Sequence, residues 1–147
     1  MARVSNLLVV DDDVGQVILL RNLFKILGLP HECHHVVNGS LALQFLRLQP
    51  PYENAPRPQL ILLDLNLPGK SGHEVLQEIK LDPVLRSIPV IVLSTSRRTE
   101  DIVASYDHHA NAFISKPSDL PEAIEVISAI DRFWLETAEL PNRKPSG

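Results

Sequence analysis

Two short apolar runs in this chain end in carboxylic acids. The run at residues 60–63 leads directly into Asp64. The run at residues 7–10 leads into three consecutive aspartates, Asp11, Asp12 and Asp13. A carboxylate at the end of a buried strand is costly unless it is paired or binds a cation. We therefore look first for a cation site that these acids could form together.

Two further apolar runs end in groups that could bind an anion. Ser94 follows residues 90–93, and Lys116 follows residues 112–115. In an open parallel sheet, sites form outside the carboxyl ends of the strands, where the strand order reverses. Acids at that edge would hold a divalent metal ion. The hydroxyl and ammonium groups would hold an anion on the metal.

The elements that must position these groups follow from the hydrophobic pattern. Short, continuous runs of Val, Ile and Leu are typical of buried parallel strands, and segments of helical period lie between them. Strands are predicted at residues 7–10, 31–37, 60–63, 90–93 and 112–115, and helices at 14–27, 41–48, 71–80, 98–108 and 120–140, with Asn38-Gly39 as a turn. This alternation predicts a doubly wound α/β fold.

Length and composition restrict the class of protein. A chain of 147 residues predicts one domain, here residues 1–141, followed by a polar tail at 142–147. The net charge of −4 gives no case for nucleic acid. The single cysteine, Cys33, fits a reducing compartment, and no apolar stretch approaches 18 residues, so we expect a cytoplasmic protein that does not enter a membrane.

A connector at residues 49–59 carries four prolines, which stiffen a loop and forbid helix. It reads either as a tolerated surface insertion or as a loop that contacts a partner, and its sequence leaves both open.

Each candidate site residue also has a plain structural interpretation. The acids at residues 11–13 could cap the next helix, and Asp64 lies in good turn chemistry. Phe113 in an apolar run could be core. The conjunction of four polar strand ends on one edge of one sheet is what favours a site.

The motifs Leu8-Val9-Val10-Asp11-Asp12, Asp64-Leu65-Asn66-Leu67-Pro68 with Gly72, Ser94-Thr95 and Lys116-Pro117 resemble those of the receiver domain of two-component response regulators. The resemblance covers roughly residues 6–128. It implies a flavodoxin-like sheet of five parallel strands in the order 2-1-3-4-5 with five helices. It also implies that an aspartate accepts a phosphoryl group from a histidine kinase.

The resemblance assigns roles by position. Asp64 is the phosphoacceptor, and Asp12 and Asp64 ligate Mg²⁺ with the backbone carbonyl of Asn66, while Asp11 helps through a bound water. Ser94 and Lys116 contact the phosphoryl oxygens, and Phe113 occupies the aromatic switch position.

Two departures from the family pattern accompany these roles. The third acid, Asp13, leaves the register of the acidic pair open by one place. The interval of 52 residues between Asp12 and Asp64 (64 − 12) is longer than usual, and the connector absorbs the excess.

The last predicted helix, residues 120–140, has two apolar faces. One covers the sheet, and the other predicts a homodimer through Val126, Ala129, Phe133 and Leu140. The alternative is that Phe133 and Leu140 fold back on their own domain. The ending Phe133-Trp134-Leu135-Glu136-Thr137-Ala138-Glu139-Leu140-Pro141 is similar to stand-alone receivers that partner cyanobacterial phytochrome kinases, which implies a light-regulated histidine kinase as phosphodonor.

Three other readings stay open. The segment His31-Glu32-Cys33-His34-His35 could bind zinc or copper, although soft ligands this close on one strand rarely chelate one ion. An aspartate-nucleophile phosphohydrolase would use Asp-x-Asp after the first strand, and turnover would distinguish it from a receiver, which is modified once and is not a turnover enzyme. The third alternative is an adaptor protein of receiver fold that is never phosphorylated.

Overall fold

The computed structural model describes residues 3–141. Its parallel sheet has the order β2-β1-β3-β4-β5, which confirms the predicted topology. The strands are β1 (Asn6–Val10), β2 (Glu32–Val36), β3 (Leu60–Leu63), β4 (Val90–Ser94) and β5 (Ala112–Ser115); the helices are α1 (Val14–Ile26), α2 (Gly39–Leu46), α3 (Gly72–Leu81), α4 (Thr99–Asp107) and α5 (Leu120–Ile130).

Both faces of the sheet are covered, which explains why its strands read as continuous apolar runs. Alternate side chains of β1 point to opposite faces. Leu8 and Val10 pack in one core cluster with α2 and α3, whereas Leu7 and Val9 pack in a second with α1 and α5. The central strands are thus held rigidly, and their carboxyl ends are fixed relative to one another.

Four of the five helices begin with a side chain that accepts a hydrogen bond from the backbone three residues on, the usual role of an N-cap. These caps are Asp13, Asn38, Ser71 and Asp119. The prediction of a turn at Asn38-Gly39 is wrong in detail, because Asn38 caps α2 and Gly39 is its first residue. Gly39 also lies so close to α3 that a Cβ there would stand 2.3 Å from Val75 Cγ2.

The last helix is shorter and less regular than the sequence pattern predicts. Its α-helical part ends at Ile130, and a π-helical segment (Asp131–Thr137) follows. The Ala138 N–H donates to the Phe133 carbonyl at 2.7 Å, which spans five residues rather than four. This wider turn breaks the 100° period, and Leu135 within the π-helical segment is fully buried.

The proline-rich connector folds onto the domain. Tyr52 packs beside Phe45 with ring centroids 5.3 Å apart, and the Arg57 guanidinium donates to the Val84 carbonyl at 2.5 Å. Pro58 is buried. These contacts favour the interpretation as a packed insertion that leaves the sheet undisturbed.

The predicted polar tail, residues 142–147, lies outside the described residues. Within residues 3–141, none of the helices combines the length and apolar character needed to cross a bilayer.

Candidate functional site

The acids that follow β1 and β3 meet the ammonium group that follows β5. Lys116 Nζ donates to Asp11 Oδ2 at 2.9 Å and to Asp64 Oδ2 at 3.1 Å. Asp11 and Asp64 are buried, with 7% and 6% of their surface exposed, and the Lys116 side chain is 10% exposed. Three residues far apart in the chain thus form one charged cluster.

The register of the parallel strands brings the two buried acids side by side. Val10 pairs with Leu63, so the residues that follow both strands emerge together. The Asp64 N–H donates to the Val10 carbonyl at 3.0 Å. On the far side, the Lys116 N–H donates to the Ser94 carbonyl at 2.8 Å, which fixes the start of the lysine's loop.

Gly72 allows α3 to begin directly against the loop that follows β3. Its N–H donates to the Leu65 carbonyl at 2.9 Å. A Cβ at this position would lie 2.3 Å from the Asp64 carbonyl oxygen and 2.5 Å from Leu65 Cα. Both are backbone atoms that cannot turn aside, so the site requires glycine here.

In each buried carboxylate, one oxygen accepts from the backbone of its own loop and the other accepts from Lys116. Asp11 Oδ1 accepts from the Asp13 N–H at 2.8 Å, and Asp64 Oδ1 accepts from the Asn66 N–H at 3.2 Å. The Oδ2 atoms are the ones that Lys116 contacts. The loops therefore orient both carboxylates and leave one oxygen of each directed into the cluster.

Lys116 is a strongly held cation. Burial alone lowers its pKa, but the hydrogen bond and charge of Asp11, and then the charge and hydrogen bond of Asp64, outweigh burial and raise the pKa above its ordinary value. The side chain therefore stays protonated at neutral pH.

The acidic cluster has the donor set of a hard divalent cation. One ligand oxygen from each of Asp11, Asp12 and Asp64 lies within 4.8 Å of the others. Asp12 is exposed whereas Asp11 and Asp64 are buried, so the cluster is open on one side. Carboxylate oxygens open to water suit an ion that retains part of its hydration shell. Asp13 caps α1 instead, and the acids that cluster with Asp64 are Asp11 and Asp12.

Ser94 lies at the same edge but faces its own loop. Its side chain is fully buried, and its Oγ accepts from the Ser96 N–H at 3.1 Å. Phe113 in β5 is half-buried and packs against the core cluster of α2 and α3, while its N–H donates to the Tyr106 hydroxyl at 3.2 Å. The switch roles of Ser94 and Phe113 remain predictions.

The sequence analysis missed several residues that support the site. His35 Nε2 donates to the Asp11 carbonyl at 2.7 Å, and so holds the acidic loop from β2. Ser96, Asp101 and His73 form a hydrogen-bonded network behind Ser94. Their side-chain pairings join separate elements, and nothing in the local sequence indicates them.

The histidine-rich segment does not form the metal site considered above. Burial raises the pKa of the Cys33 thiol to about 12, so it is a poor thiolate ligand. The side chains of His31, His34 and His35 turn to separate partners, Asp131, Asn6 and Asp11.

A second cluster of metal-ligand type joins His31, Asp131 and Glu136 at the opposite end of the strands. His31 Nδ1 accepts from the Ser5 N–H at 3.1 Å, so its proton is on Nε2, which donates to Asp131 Oδ1 at 2.7 Å. Because Nε2 carries the proton, it has no lone pair for a metal, and the cluster is a structural contact.

The predicted dimer stripe is only partly exposed. Ala129 and Phe133 are exposed, Phe133 by 55%, whereas Val126 packs half-buried against the core cluster of α1 and α5. The placement of Leu140 on the stripe is wrong, because it is 8% exposed within its own chain. The helix ends at Thr137, so a helical projection does not apply to Leu140.

An apolar groove of about 480 Å³ runs between α1 and α5 and reaches the charged cluster. Leu20, Ala123 and Ile127 line its wall, and Asp11 and Lys116 lie at its end. Leu19 on α1 also lines the groove and is exposed, and exposed Ile18 beside it in the sequence lies outside the lining. The groove places an apolar surface beside Asp11 and Lys116 of the charged cluster.

Comparison with known proteins agrees with this geometry. The response regulator receiver domain model matches residues 7–128. The chain is 44% identical to "Response regulator Rcp1" of Synechocystis over 135 residues, 92% of each protein. It also superposes on the phosphorylated cyanobacterial phytochrome response regulator RcpA (TM-score 0.89, 45% identity, 95% of this chain and 99% of that one). The Mn²⁺-bound form of Rcp1 gives a TM-score of 0.86 at 44% identity, covering 93% and 99% of the two chains. With five strands in receiver order and the acids and lysine gathered at one edge, this chain belongs to the response regulator receiver domain family.

Proposed function

We propose that this protein accepts a phosphoryl group from a histidine kinase onto Asp64, with Mg²⁺, and signals through the resulting change in conformation or association. The observation that carries the proposal is the contact of Lys116 with both Asp64 and Asp11 in one buried cluster. Burying charges is costly, so stability alone is a weak reason for such a cluster. Binding of a phosphoryl group during transfer accounts for its lysine and acids better.

The chain's own groups divide the work of transfer. An Asp64 oxygen attacks phosphorus, forming a P–O bond as the P–N bond of the phosphohistidine breaks and its electron pair returns to the imidazole. Lys116 neutralises charge that develops on the phosphoryl oxygens. Asp11, Asp12, Asp64 and the Asn66 carbonyl would hold Mg²⁺, which supplies further charge neutralisation when bound. The resulting acyl phosphate is labile and suits a reversible signal.

Transmission would begin at Ser94. Its hydroxyl would donate to a phosphoryl oxygen as the loop after β4 moves inward, and Phe113 would turn into the space that the loop vacates. A hydrogen bond to a charged group contributes about 1.5–3 kcal/mol. Two such contacts, from Ser94 and Lys116, approach the roughly 5.5 kcal/mol that moves a population from 1:99 to 99:1.

The proposed phosphodonor is a phytochrome-type, light-regulated kinase of the cytoplasm. The similar protein RcpA is a cyanobacterial phytochrome response regulator. The groove between α1 and α5 offers the kinase an apolar surface next to Asp64, which supports transfer between docked proteins.

The association that we propose is a homodimer through β5 and the end of α5. Within the described residues β5 pairs only with β4, so its outer edge is open to another strand. Phe133 and Ala129 supply exposed apolar contacts nearby in sequence. Sedimentation of the parent at high micromolar concentration should show a dimer that Phe133→Glu dissociates, and a monomeric parent would end this part of the proposal.

Intact-mass measurement tests the chemistry directly. The parent with acetyl phosphate and Mg²⁺ should gain one phosphoryl group, and removal of Mg²⁺ with EDTA should abolish the gain. Asp64→Asn, which keeps the shape of the side chain, should gain nothing, and Asp107→Asn on α4 is the matched control and should behave as the parent.

Each alternative function gives a different result. An unmodified parent would favour the adaptor, and repeated phosphate release from small esters would favour a hydrolase. Phosphorylation of Asp64→Asn would refute the assignment of the acceptor.

A further inference from the structure

A chain of hydrogen bonds connects the loop after β4 with α3 by way of α4. The Ser96 N–H donates to Ser94 Oγ at 3.1 Å, and the Ser96 hydroxyl donates to Asp101 Oδ2 at 2.5 Å. The other oxygen, Asp101 Oδ1, accepts from His73 Nε2 at 3.3 Å. These hydrogen bonds therefore extend from the end of β4 through α4 to α3.

Asp101 is the centre of this network. The hydrogen bond from Ser96, and then the one from His73, lower the pKa of Asp101, so its carboxylate is ionised at neutral pH. His73 Nδ1 is buried and has no hydrogen-bond partner in the described part of the chain. The contact with Asp101 therefore orients the His73 imidazole, and the Asp101 carboxylate links His73 to Ser96.

The network bears on the step that phosphorylation requires of Ser94. In the structure the Ser94 side chain is buried and its Oγ accepts from the Ser96 N–H, so the positions of Ser94 and Ser96 are coupled. A hydroxyl accepts and donates at the same time, so Ser94 can keep this contact and still donate. To bring the hydroxyl to a phosphoryl group on Asp64, the loop after β4 must move inward, and Ser96 must move with it. Ser96 cannot move freely while its hydroxyl is bound to Asp101.

We propose that Ser96, Asp101 and His73 form a latch that holds the loop after β4 in the position of the unphosphorylated site. This proposal rests on the proposed function, because it concerns the loop that would capture the phosphoryl group. The three are positioning residues and act through Ser94. His73 directly follows Gly72, whose N–H is bound to the Leu65 carbonyl, so the latch ties together the loops that follow β3 and β4.

Beryllofluoride, a stable analogue of the phosphoryl group, tests the latch without a kinase. Release of the loop by Asp101→Ala should tighten the binding of beryllofluoride in saturating Mg²⁺ by about fivefold, at the lower end of allosteric couplings. The affinity for Mg²⁺ alone should stay within about twofold of the parent's, because the latch contacts none of the acidic cluster. Asp107→Ala removes the same charge from an exposed position on the same helix and should change neither affinity.

Further variants separate the latch from a merely structural role. Ser96→Ala breaks the same link from the other side and should act as Asp101→Ala does, even where one of the two folds poorly. His73→Gln, which keeps a donor, should resemble the parent more closely than His73→Ala. In a Ser94→Ala background, Asp101→Ala should give no further tightening, since the hydroxyl that the latch restrains is gone.

The outcomes distinguish this proposal from the proposed function. A parent that binds no beryllofluoride in Mg²⁺ refutes the phosphoacceptor function itself. A parent that binds it while Asp101→Ala and Ser96→Ala leave the affinity unchanged or weaker refutes the latch alone. An equal change in the affinity for Mg²⁺ also refutes the latch, because it would show that the acidic cluster was disturbed.

Discussion

Gly72→Ala should damage the site through backbone contact alone. The new Cβ would stand 2.5 Å from Leu65 Cα and 2.3 Å from the Asp64 carbonyl oxygen. Carbon atoms pack at about 3.5–4.0 Å, so α3 must retreat by about 1 Å. Overpacking of this kind costs about 1–3 kcal/mol. Strain on the hydrogen bond from Gly72 to Leu65 adds about 1 kcal/mol, for a total of about 2–4 kcal/mol.

Urea denaturation and thermal melting measure this cost. For a domain of this size, 1 kcal/mol corresponds to roughly 4 °C, so the melting temperature should fall by roughly 8–16 °C. Calorimetric titration should also show weaker Mg²⁺ binding, because the displaced loop carries Asp64 and Asn66, and Mg²⁺ demands near-ideal geometry. The matched control is Gly15→Ala in α1, where a Cβ would meet only Asp13 Oδ1 at 3.3 Å. This control should keep or slightly raise stability. Gly72→Ala with the melting temperature and Mg²⁺ affinity of the parent would refute the reasoning.

Two further predictions concern buried charged and polar groups. His31→Ala should lower the free energy of unfolding, measured in urea, by about 1–3 kcal/mol, because it removes the imidazole that bonds the Ser5 N–H and Asp131. The control His34→Ala removes a partly exposed imidazole and should lower the free energy of unfolding by less. Equal losses in the two variants would contradict this prediction. Lys116 has a raised folded-state pKa, so its stabilising contribution is complete below the unfolded-state pKa of about 10.4 and is lost as pH rises through the folded value. The stability difference between the parent and Lys116→Met should therefore be constant up to about pH 9 and shrink at higher pH in urea titrations, and a difference that persists above the folded pKa would contradict the assigned ion pair.

The local sequence pattern was sufficient to predict the sheet and the edge of the sheet at which the site forms. Continuous apolar runs predicted four of the five strands, and the exception is the edge strand β2, which is only partly buried. A polar residue directly after such a run must lie at the carboxyl edge, and parallel strands share that edge. Asp64 and Lys116 could be placed together for this reason, although they are 52 positions apart in the chain (116 − 64).

Helical periodicity failed where the helix stopped being regular. Leu140 was placed on an exposed face by a 100° projection, but the π-helical turn and the end of the helix at Thr137 put it in a buried position. Leu135 became core for the same reason. Such a turn depends on the packing of several side chains against the sheet, which periodicity does not describe.

The sequence by itself determined which groups reach the carboxyl edge of the sheet, because strand ends follow from hydrophobic runs and parallel pairing. Only the tertiary structure decided how those groups are held: Asp11 by His35, and Ser94 by a network through Asp101 to His73. Contacts of this kind depend on the orientation of side chains from separate helices and strands, to within a few tenths of an ångström. That orientation exists only once the two hydrophobic layers have packed.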